Sequence, residues 1–196
     1  LTPRQITRLG VARSFQIPQL YPSLTVLENM LVALACHADR LSVWRAARNA
    51  AALASAEQLL SQFRLQDQRH QQVSALPGGM RKLLVIALAM VGQPRLLLLD
   101  EPTSGVAAEE KFPMMDTVMQ ALAERQVTSW FVEHDIDIVK RYATRVAAWI
   151  GGRVAADGTP DDVLNQLNSS LICGQITDAI EQYQVARCGL RHECDS

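Results

Sequence analysis

Two adjacent carboxylates follow a run of four leucines near the middle of the chain. The leucines occupy residues 96–99, and Asp100, Glu101 and Pro102 come directly after them. An unbroken apolar run of this length is typical of a strand buried on both faces of a parallel α/β sheet. Ligands of such sheets bind outside the carboxyl ends of the strands. Asp100 could there hold a Mg²⁺ ion that bridges phosphates, and Glu101 could orient or deprotonate a water. The alternative is a strand that ends in a solvated acid pair.

A histidine follows the next predicted strand. Residues 128–132 are β-branched and aromatic, which predicts a strand, and His134 lies just beyond it. We expect this strand to end at the same edge of the sheet as Asp100 and Glu101. An imidazole at that edge can donate to a γ-phosphate and fix the attacking water. The alternative is a histidine that caps the following helix.

Two glycines precede a predicted helix upstream of the acid pair. Residues 73–80 read VSALPGGM, and a helical stretch over residues 81–91 follows. Glycines at a helix start let backbone N–H groups approach a phosphate, and the helix dipole favours the anion. The alternative is a plain Pro-Gly-Gly turn before a core helix.

The composition limits the classes of function. The 196 residues make one domain or most of one, with 48% hydrophobic and 20% charged residues. The net charge of −1 implies no strong attraction to nucleic acid or anionic lipid, and 5% aromatics argue against base stacking. No apolar run is as long as a membrane span. The four cysteines do not form a disulfide framework, which fits a reducing compartment.

The remaining pattern predicts an alternation of helices and strands. There is no Gly or Pro between Ser23 and Ala75, and this stretch predicts two or three packed helices. Thr2-Pro3 predicts a helix start. A helix over residues 107–125 is expected to kink or begin late at Pro113. Further on, the pattern predicts a helix over residues 136–142, a hairpin of residues 145–150 and 153–156, and a helix from Pro160.

The order of these motifs resembles that of ABC-type ATPases. The run LLLLDEPTS resembles their Walker B segment, LPGGM their signature Leu-Ser-Gly-Gly-Gln, and His134 their switch histidine. Residues 11–30, VARSFQIPQLYPSLTVLENM, resemble the Q-loop region of the branched-chain amino-acid uptake type. The resemblance covers residues 1–166. It implies an α/β fold with a P-loop NTPase-like parallel sheet, here incomplete, and an inserted α-helical subdomain at about residues 26–92. Residues 167–196 are expected to be a divergent, weakly packed tail.

The resemblance also implies roles for single residues. Asp100 would hold Mg²⁺ through water, Glu101 would act as base or orient the attacking water, and His134 would contact the γ-phosphate of ATP. Gln16 would reach the metal and the water, and the segment that begins at Ile17 and ends at Tyr21 would touch a membrane permease. The residues expected to contact nucleotide, in part that of a second subunit, are Leu76, Pro77, Gly78, Gly79, Met80 and Ser104.

Three departures from the family pattern stand out. Pro77 replaces the signature serine and so removes a hydroxyl and an N–H that could contact phosphate. Met80 replaces the signature glutamine. The usual Leu-Asp after Ser104-Gly105 is absent, and coupling between two sites would then pass to Glu109 or Glu110 or be lost.

No segment has the form G-x-x-x-x-G-K-[ST], the loop that cradles phosphates in this family. We therefore interpret the chain as lacking the part of the family that holds this loop, and expect the 196 residues alone to bind ATP poorly and hydrolyse little. The strand next to that loop is central in the family, so an aggregation-prone or swapped assembly is also expected.

The resemblance implies an ATP-hydrolysing subunit of an ABC importer, using ATP and Mg²⁺, for branched-chain amino acids. Its partners would be a second ATPase subunit, identical or not, and membrane permeases, with no nucleic acid, and it would lie on the cytoplasmic face of the membrane. A non-hydrolysing structural module is the alternative. A soluble ABC protein of DNA repair or translation is disfavoured by the near-neutral charge.

Overall fold

The described part of the chain forms one six-stranded sheet with helices packed on it. The structure is a computed structural model and describes residues 1–14, 20–37, 50–172 and 186–188. The strands are β1 (Val11–Ser14), β2 (Leu96–Asp100), β3 (Thr128–Val132), β4 (Arg145–Ile150), β5 (Arg153–Gly158) and β6 (Ala186–Cys188). Their order across the sheet is β1-β2-β3-β6-β4-β5. The pairs β1–β2 and β2–β3 are parallel, and the remaining neighbours are antiparallel.

Helices connect these strands and carry most of the core. They are α1 (Pro3–Arg8), α2 (Val26–His37), α3 (Ala50–Gln62), α4 (Gly78–Ala89), α5 (Ala108–Glu124), α6 (Ile136–Tyr142) and α7 (Pro160–Ile172). Short 3₁₀ turns at Gln66–Gln68 and Val73–Ala75 link α3 to α4. The α/β class with a parallel strand group, predicted from the sequence, is confirmed.

The main core packs α2, α3, α4 and α5 against one face of the parallel strands. Its fully buried side chains include Phe63, Leu84, Leu97, Met115 and Phe131. Each such side chain contributes roughly 1.5–3 kcal/mol relative to exposure, so this face anchors the strands whose ends carry the site. A second, smaller cluster joins the β4–β5 hairpin to α7.

Strand β2 is fully buried on one face only, so the prediction that both of its faces are buried is wrong. Leu97 and Leu99 are 0% and 2% exposed, whereas Leu96, Leu98 and Asp100 are half-buried. Leu97 and Leu99 pack in the core cluster that they share with buried side chains of the helices. On the other side, Leu98 lines a cavity of about 520 Å³.

Two further differences from the sequence predictions concern α5 and the C-terminal region. Helix α5 begins at Ala108 and continues through Pro113, so the late start is wrong. Residues 186–188, expected in a weakly packed tail, pair with both β3 and β4 inside the sheet. The boundaries assigned to the helical subdomain and to the tail remain predictions.

Candidate active site at the carboxyl ends of β2 and β3

The parallel pairing of β2 with β3 brings Glu101 and His134 together. Asp100 is in register with Val132, so the residues after both strands leave the sheet at the same edge. Oε1 of Glu101 lies 3.1 Å from Nε2 of His134. The side chains are 25% and 47% exposed, respectively, so both can be reached from solvent. A carboxylate and an imidazole in contact at an open strand edge can hold a water and take up its proton.

Glu101 is held in a backbone conformation that non-glycine residues rarely adopt. Its φ is +45°, in the left-handed region, which costs roughly 1–2 kcal/mol per residue. Its N–H donates to the carbonyl of Val132 at 3.0 Å, and its own carbonyl accepts the N–H of Ser104 at 3.1 Å. These bonds turn the chain sharply at the end of β2 and direct the carboxylate toward His134.

Asp100, the last residue of β2, pairs with Arg13 of β1. The distance from an Arg13 guanidinium nitrogen to Oδ2 of Asp100 is 2.7 Å. The Arg13 side chain is 54% exposed and that of Asp100 31%. The contact is therefore a partly exposed ion pair. Such a pair contributes little to stability, so it can open when another cation binds Asp100.

Asp100 suits a Mg²⁺ ion that arrives with phosphates. Such an ion takes one or two protein carboxylates and fills its other positions with phosphate oxygens and waters. Within the described residues, no group of three or more His, Cys, Asp or Glu could hold a metal by itself. The chemistry of the Asp100 side chain thus fits an ion that is also bound by phosphates.

The buried carboxylate of Glu133 links the ends of β2 and β3. Glu133, at the end of β3, is 4% exposed and accepts two hydrogen bonds from Thr103. The Thr103 N–H lies 2.8 Å and its hydroxyl 2.6 Å from Oε1 of Glu133. Because Thr103 follows Glu101 by two residues and Glu133 precedes His134, this contact fixes the two strand ends to each other.

A salt bridge fixes the segment just after His134. Nζ of Lys111 on α5 lies 2.7 Å from Oδ2 of Asp135. The hydrogen bond from Lys111 holds the pKa of Asp135 below its ordinary value, and the same bond raises the pKa of Lys111. Asp135 also accepts the N–H of Asp137 and so caps α6. The residues on both sides of His134 are therefore held in place, Glu133 by Thr103 and Asp135 by Lys111.

The start of α4 forms a second part of the site. Pro77 is the N-cap and makes no side-chain capping bond, so the helix begins with backbone groups that no cap side chain satisfies. A Cβ added to Gly79 would lie 3.1 Å from Oε2 of Glu110, which is tighter than ordinary packing. Gly78 and Ser104 line one cavity of about 420 Å³ between α4 and the turn after β2. Leu76 is buried, and Met80 packs against the core.

Some of the predicted site residues lie outside the described residues. Gln16 and the first part of the proposed permease segment, from Ile17 onward, belong to that group. Tyr21 at the end of the segment is 56% exposed, and Leu20 lines the same cavity as Ser104. The roles assigned to Gln16 and to this segment remain predictions.

Comparison with known proteins identifies the family. Residues 2–104 match the family described as ABC transporter. The chain belongs to this family. Within it, the chain is 34% identical over 167 residues to a probable branched-chain amino acid transport ATP-binding protein of Archaeoglobus fulgidus. It is 32% identical over 173 residues to the high-affinity branched-chain amino acid transport ATP-binding protein of Escherichia coli K12. A phosphonates import ATP-binding protein of Bordetella parapertussis is 32% identical over 151 residues.

These relatives of the ABC transporter chain are longer than the chain itself. The first alignment covers 83% of this chain and 65% of the Archaeoglobus protein, and the second covers 84% of this chain and 68% of the Escherichia coli protein. The Bordetella alignment covers 77% of this chain and 58% of that protein. The chain thus spans about two thirds of the length of its branched-chain amino acid relatives.

Solved structures show that this ABC transporter chain has the family fold. An ATP-binding cassette of an ABC transporter superposes with a TM-score of 0.73, covering 88% of this chain and 70% of that one at 24% identity. A nucleotide-free ATP-binding cassette gives a TM-score of 0.71, covering 86% and 68% at 24% identity.

Sequence reasoning assigned no role to Lys82, Arg13, Thr103 or Glu133. Arg13 and Asp100 are 87 positions apart, and no local pattern announces such a contact. A supporting contact of Glu133 could have been suspected from the sequence. A carboxylate at the end of a buried strand needs a hydrogen-bond donor or a cation close by.

Proposed function

We propose that this chain is the ATP-binding and ATP-hydrolysing subunit of an ABC importer for branched-chain amino acids. The observation that carries the proposal is the 3.1 Å contact between Glu101 and His134 at the ends of adjacent parallel strands, with Asp100 beside it. Family membership and the names of two relatives, both branched-chain amino acid transport proteins, support the transported class.

Each residue has a distinct task in the proposed reaction. Glu101 holds the attacking water through its carboxylate and receives its proton. His134 donates toward the γ-phosphate and keeps the carboxylate of Glu101 in place. Asp100, which pairs with Arg13 in this structure, would hold Mg²⁺ through water, and the ion would supply neutralising charge to the phosphates.

Assembly completes the proposed site. The start of α4, with Gly78 and Gly79, would face phosphates held by a second ATPase subunit, and Gln16 would help to hold the metal. The segment from Ile17 to Tyr21 docks on a membrane permease, and the subunit lies on the cytoplasmic face of that membrane. None of the described helices is long and apolar enough to cross a membrane.

The experiment compares ATP turnover of the complete gene product with that of its Glu101→Gln variant. We expect the variant to lose about 10²–10⁴-fold in kcat, since proton transfer by a positioned side chain contributes that much. Binding of ATP should stay within about twofold of the unchanged protein, because Gln keeps the size of the side chain. Glu57→Gln, at an exposed position of α3, is the matched control and should leave turnover unchanged. Equal turnover in both variants would remove Glu101 from the mechanism.

The competing function is a structural module that does not hydrolyse ATP. Pro77 at the signature position and the Arg13–Asp100 pair favour it, since both reduce contacts to Mg-ATP. The 196 residues hold no glycine–lysine phosphate loop, and we expect them alone to turn over little ATP. A complete gene product that lacks Mg-dependent turnover while binding a permease would establish this second function.

A further inference from the structure

Lys82, near the start of α4, contacts the peptide that follows Glu101. Its Nζ donates to the carbonyl oxygen of Glu101 at 3.2 Å. The same oxygen accepts the N–H of Ser104 at 3.1 Å. A side chain of α4 and the backbone of the turn after β2 therefore meet at one atom.

Three carboxylates act on the charge of this lysine. Burial lowers the pKa of Lys82, while the negative charges of Glu133, Glu101 and Asp100 favour its charged form. Glu133 is the most deeply buried of the three acids, at 4% exposure. The ammonium thus supplies positive charge where the strand ends concentrate negative charge.

Glu101 depends on such contacts because its backbone conformation is unfavourable by itself. At φ +45° a side chain crowds the following carbonyl, so neighbouring groups must hold the residue in place. The N–H of Glu101 ties the preceding peptide to Val132 of β3. The Lys82 bond ties the following peptide to α4. The direction of the carboxylate toward His134 follows from both.

We infer that Lys82 is a positioning residue that fixes the conformation of Glu101 and makes it depend on the place of α4. Lys82 lines the same cavity as Gly78 and Ser104, and the effect inferred here passes through its bond to the Glu101 peptide. The inference deepens the proposed function, since Glu101 matters for turnover only if the chain hydrolyses ATP. Because α4 begins at the glycines that face phosphate in that proposal, a shift of α4 would reach Glu101 through Lys82.

The first test is hydrogen exchange on the 196-residue chain, which needs no ATP. In Lys82→Met, which keeps the apolar stem of the side chain, we expect the amides of Glu101 and Ser104 to exchange about tenfold faster. Lys82→Arg should restore most of the protection. The control Lys140→Met removes an exposed lysine of α6 and should leave these amides unchanged. Unchanged exchange at both amides in Lys82→Met would overturn the inference.

The second test measures turnover of the complete gene product. Lys82→Met should lower kcat by about 10–100-fold while KM for ATP stays within about twofold, as expected when only the reacting group is displaced. Lys82→Arg should recover part of kcat. In a Glu101→Gln background, Lys82→Met should cause no further loss, because its effect passes through Glu101.

The two tests separate the inference from the proposed function. A complete gene product without ATP turnover overturns the proposed function, and the exchange result still decides the role of Lys82. Normal turnover combined with an unchanged kcat in Lys82→Met overturns the inference alone. A loss that adds fully to that of Glu101→Gln also overturns it, because Lys82 would then act elsewhere.

Discussion

The pair formed by Thr103 and Glu133 shows how single residues hold the candidate site. A buried carboxylate without partners is very costly, and here the backbone and the hydroxyl of one threonine both donate to it. Glu101 precedes this threonine by two residues and His134 follows the carboxylate directly. The contact between Glu101 and His134 therefore depends on a bond that neither residue makes.

Thr103→Val tests this bond, since valine keeps the shape of the side chain and removes the hydroxyl. We expect the free energy of unfolding to fall by about 2 kcal/mol, because a buried charged acceptor loses a donor. Urea denaturation measures the change. Ser55→Ala removes an exposed hydroxyl of α3 and should cost at most about 0.5 kcal/mol. Equal stability of the Thr103→Val variant and the unchanged chain would show that water replaces the hydroxyl.

For single residues, the sequence predicted which side chains lie at the strand ends. It did not predict the side chains that contact them. Asp100, Glu101 and His134 could be placed at one edge because strand direction and chain order are visible in the pattern. Lys82 and Arg13 reach the same edge from elements distant in sequence. Their contacts depend on how α4 and β1 pack, and no periodicity encodes that.

Among the elements, α5 and α6 are joined beside the site by the ion pair of Lys111 and Asp135. Both side chains are less than one third exposed, and the two pKa shifts agree in their cause. A second link lies further along, where Arg141 contacts Asp116 and the ring of Phe112. These contacts set the direction in which the chain leaves His134.

The ion pair predicts a pH dependence of stability. Folding lowers the pKa of Asp135, so the contribution of the pair is present above the ordinary value of 3.8 and is lost as the pH falls through the folded value. Folding raises the pKa of Lys111, so the contribution is lost again only above its ordinary value of 10.5. We expect Lys111→Met to cost about 0.5–1 kcal/mol at pH 7.

Urea midpoints of the two proteins at a series of pH values measure this difference. The gap between the unchanged chain and Lys111→Met should close at acidic pH. Lys140→Met, which removes a lysine of α6, is the control and should show no such gap. A gap that stays constant down to acidic pH would mean that Lys111 stabilises α5 by packing and not by charge.

The positions of most helices and strands could be predicted from the sequence. Which faces of the strands are buried by other elements could not. The β3 strand, the α6 helix and the β4–β5 hairpin lie where alternation and turn residues place them. Four consecutive leucines suggested two dry faces for β2, but Leu98 lies against a cavity. An apolar run shows that a strand is able to be buried on both faces. It does not show whether other elements pack on both faces.

Across the whole molecule, the sheet changes from parallel to antiparallel at β6. Residues Ala186–Cys188 pair with β3 on one side and β4 on the other, so they join the parallel strands to the hairpin. On one face of the sheet Trp130 and Trp149 are 42% and 37% exposed and line the cavity of about 520 Å³ beside Asp100. The middle of the sheet thus combines a short strand with a partly uncovered apolar face.

Truncation tests how much of the sheet depends on this short strand. A chain that ends at Ile172 lacks β6 and leaves unpaired backbone groups on β3 and β4, which invite pairing with another molecule. We expect it to self-associate more strongly in sedimentation velocity than the 196-residue chain, for which some self-association is already expected, and to lose about 1–3 kcal/mol of stability, the contribution of a few cross-strand pairs. A chain that ends at Cys188 keeps the strand and is the matched control. If both truncated chains sediment alike and have equal urea midpoints, β6 contributes nothing to the stability of the sheet.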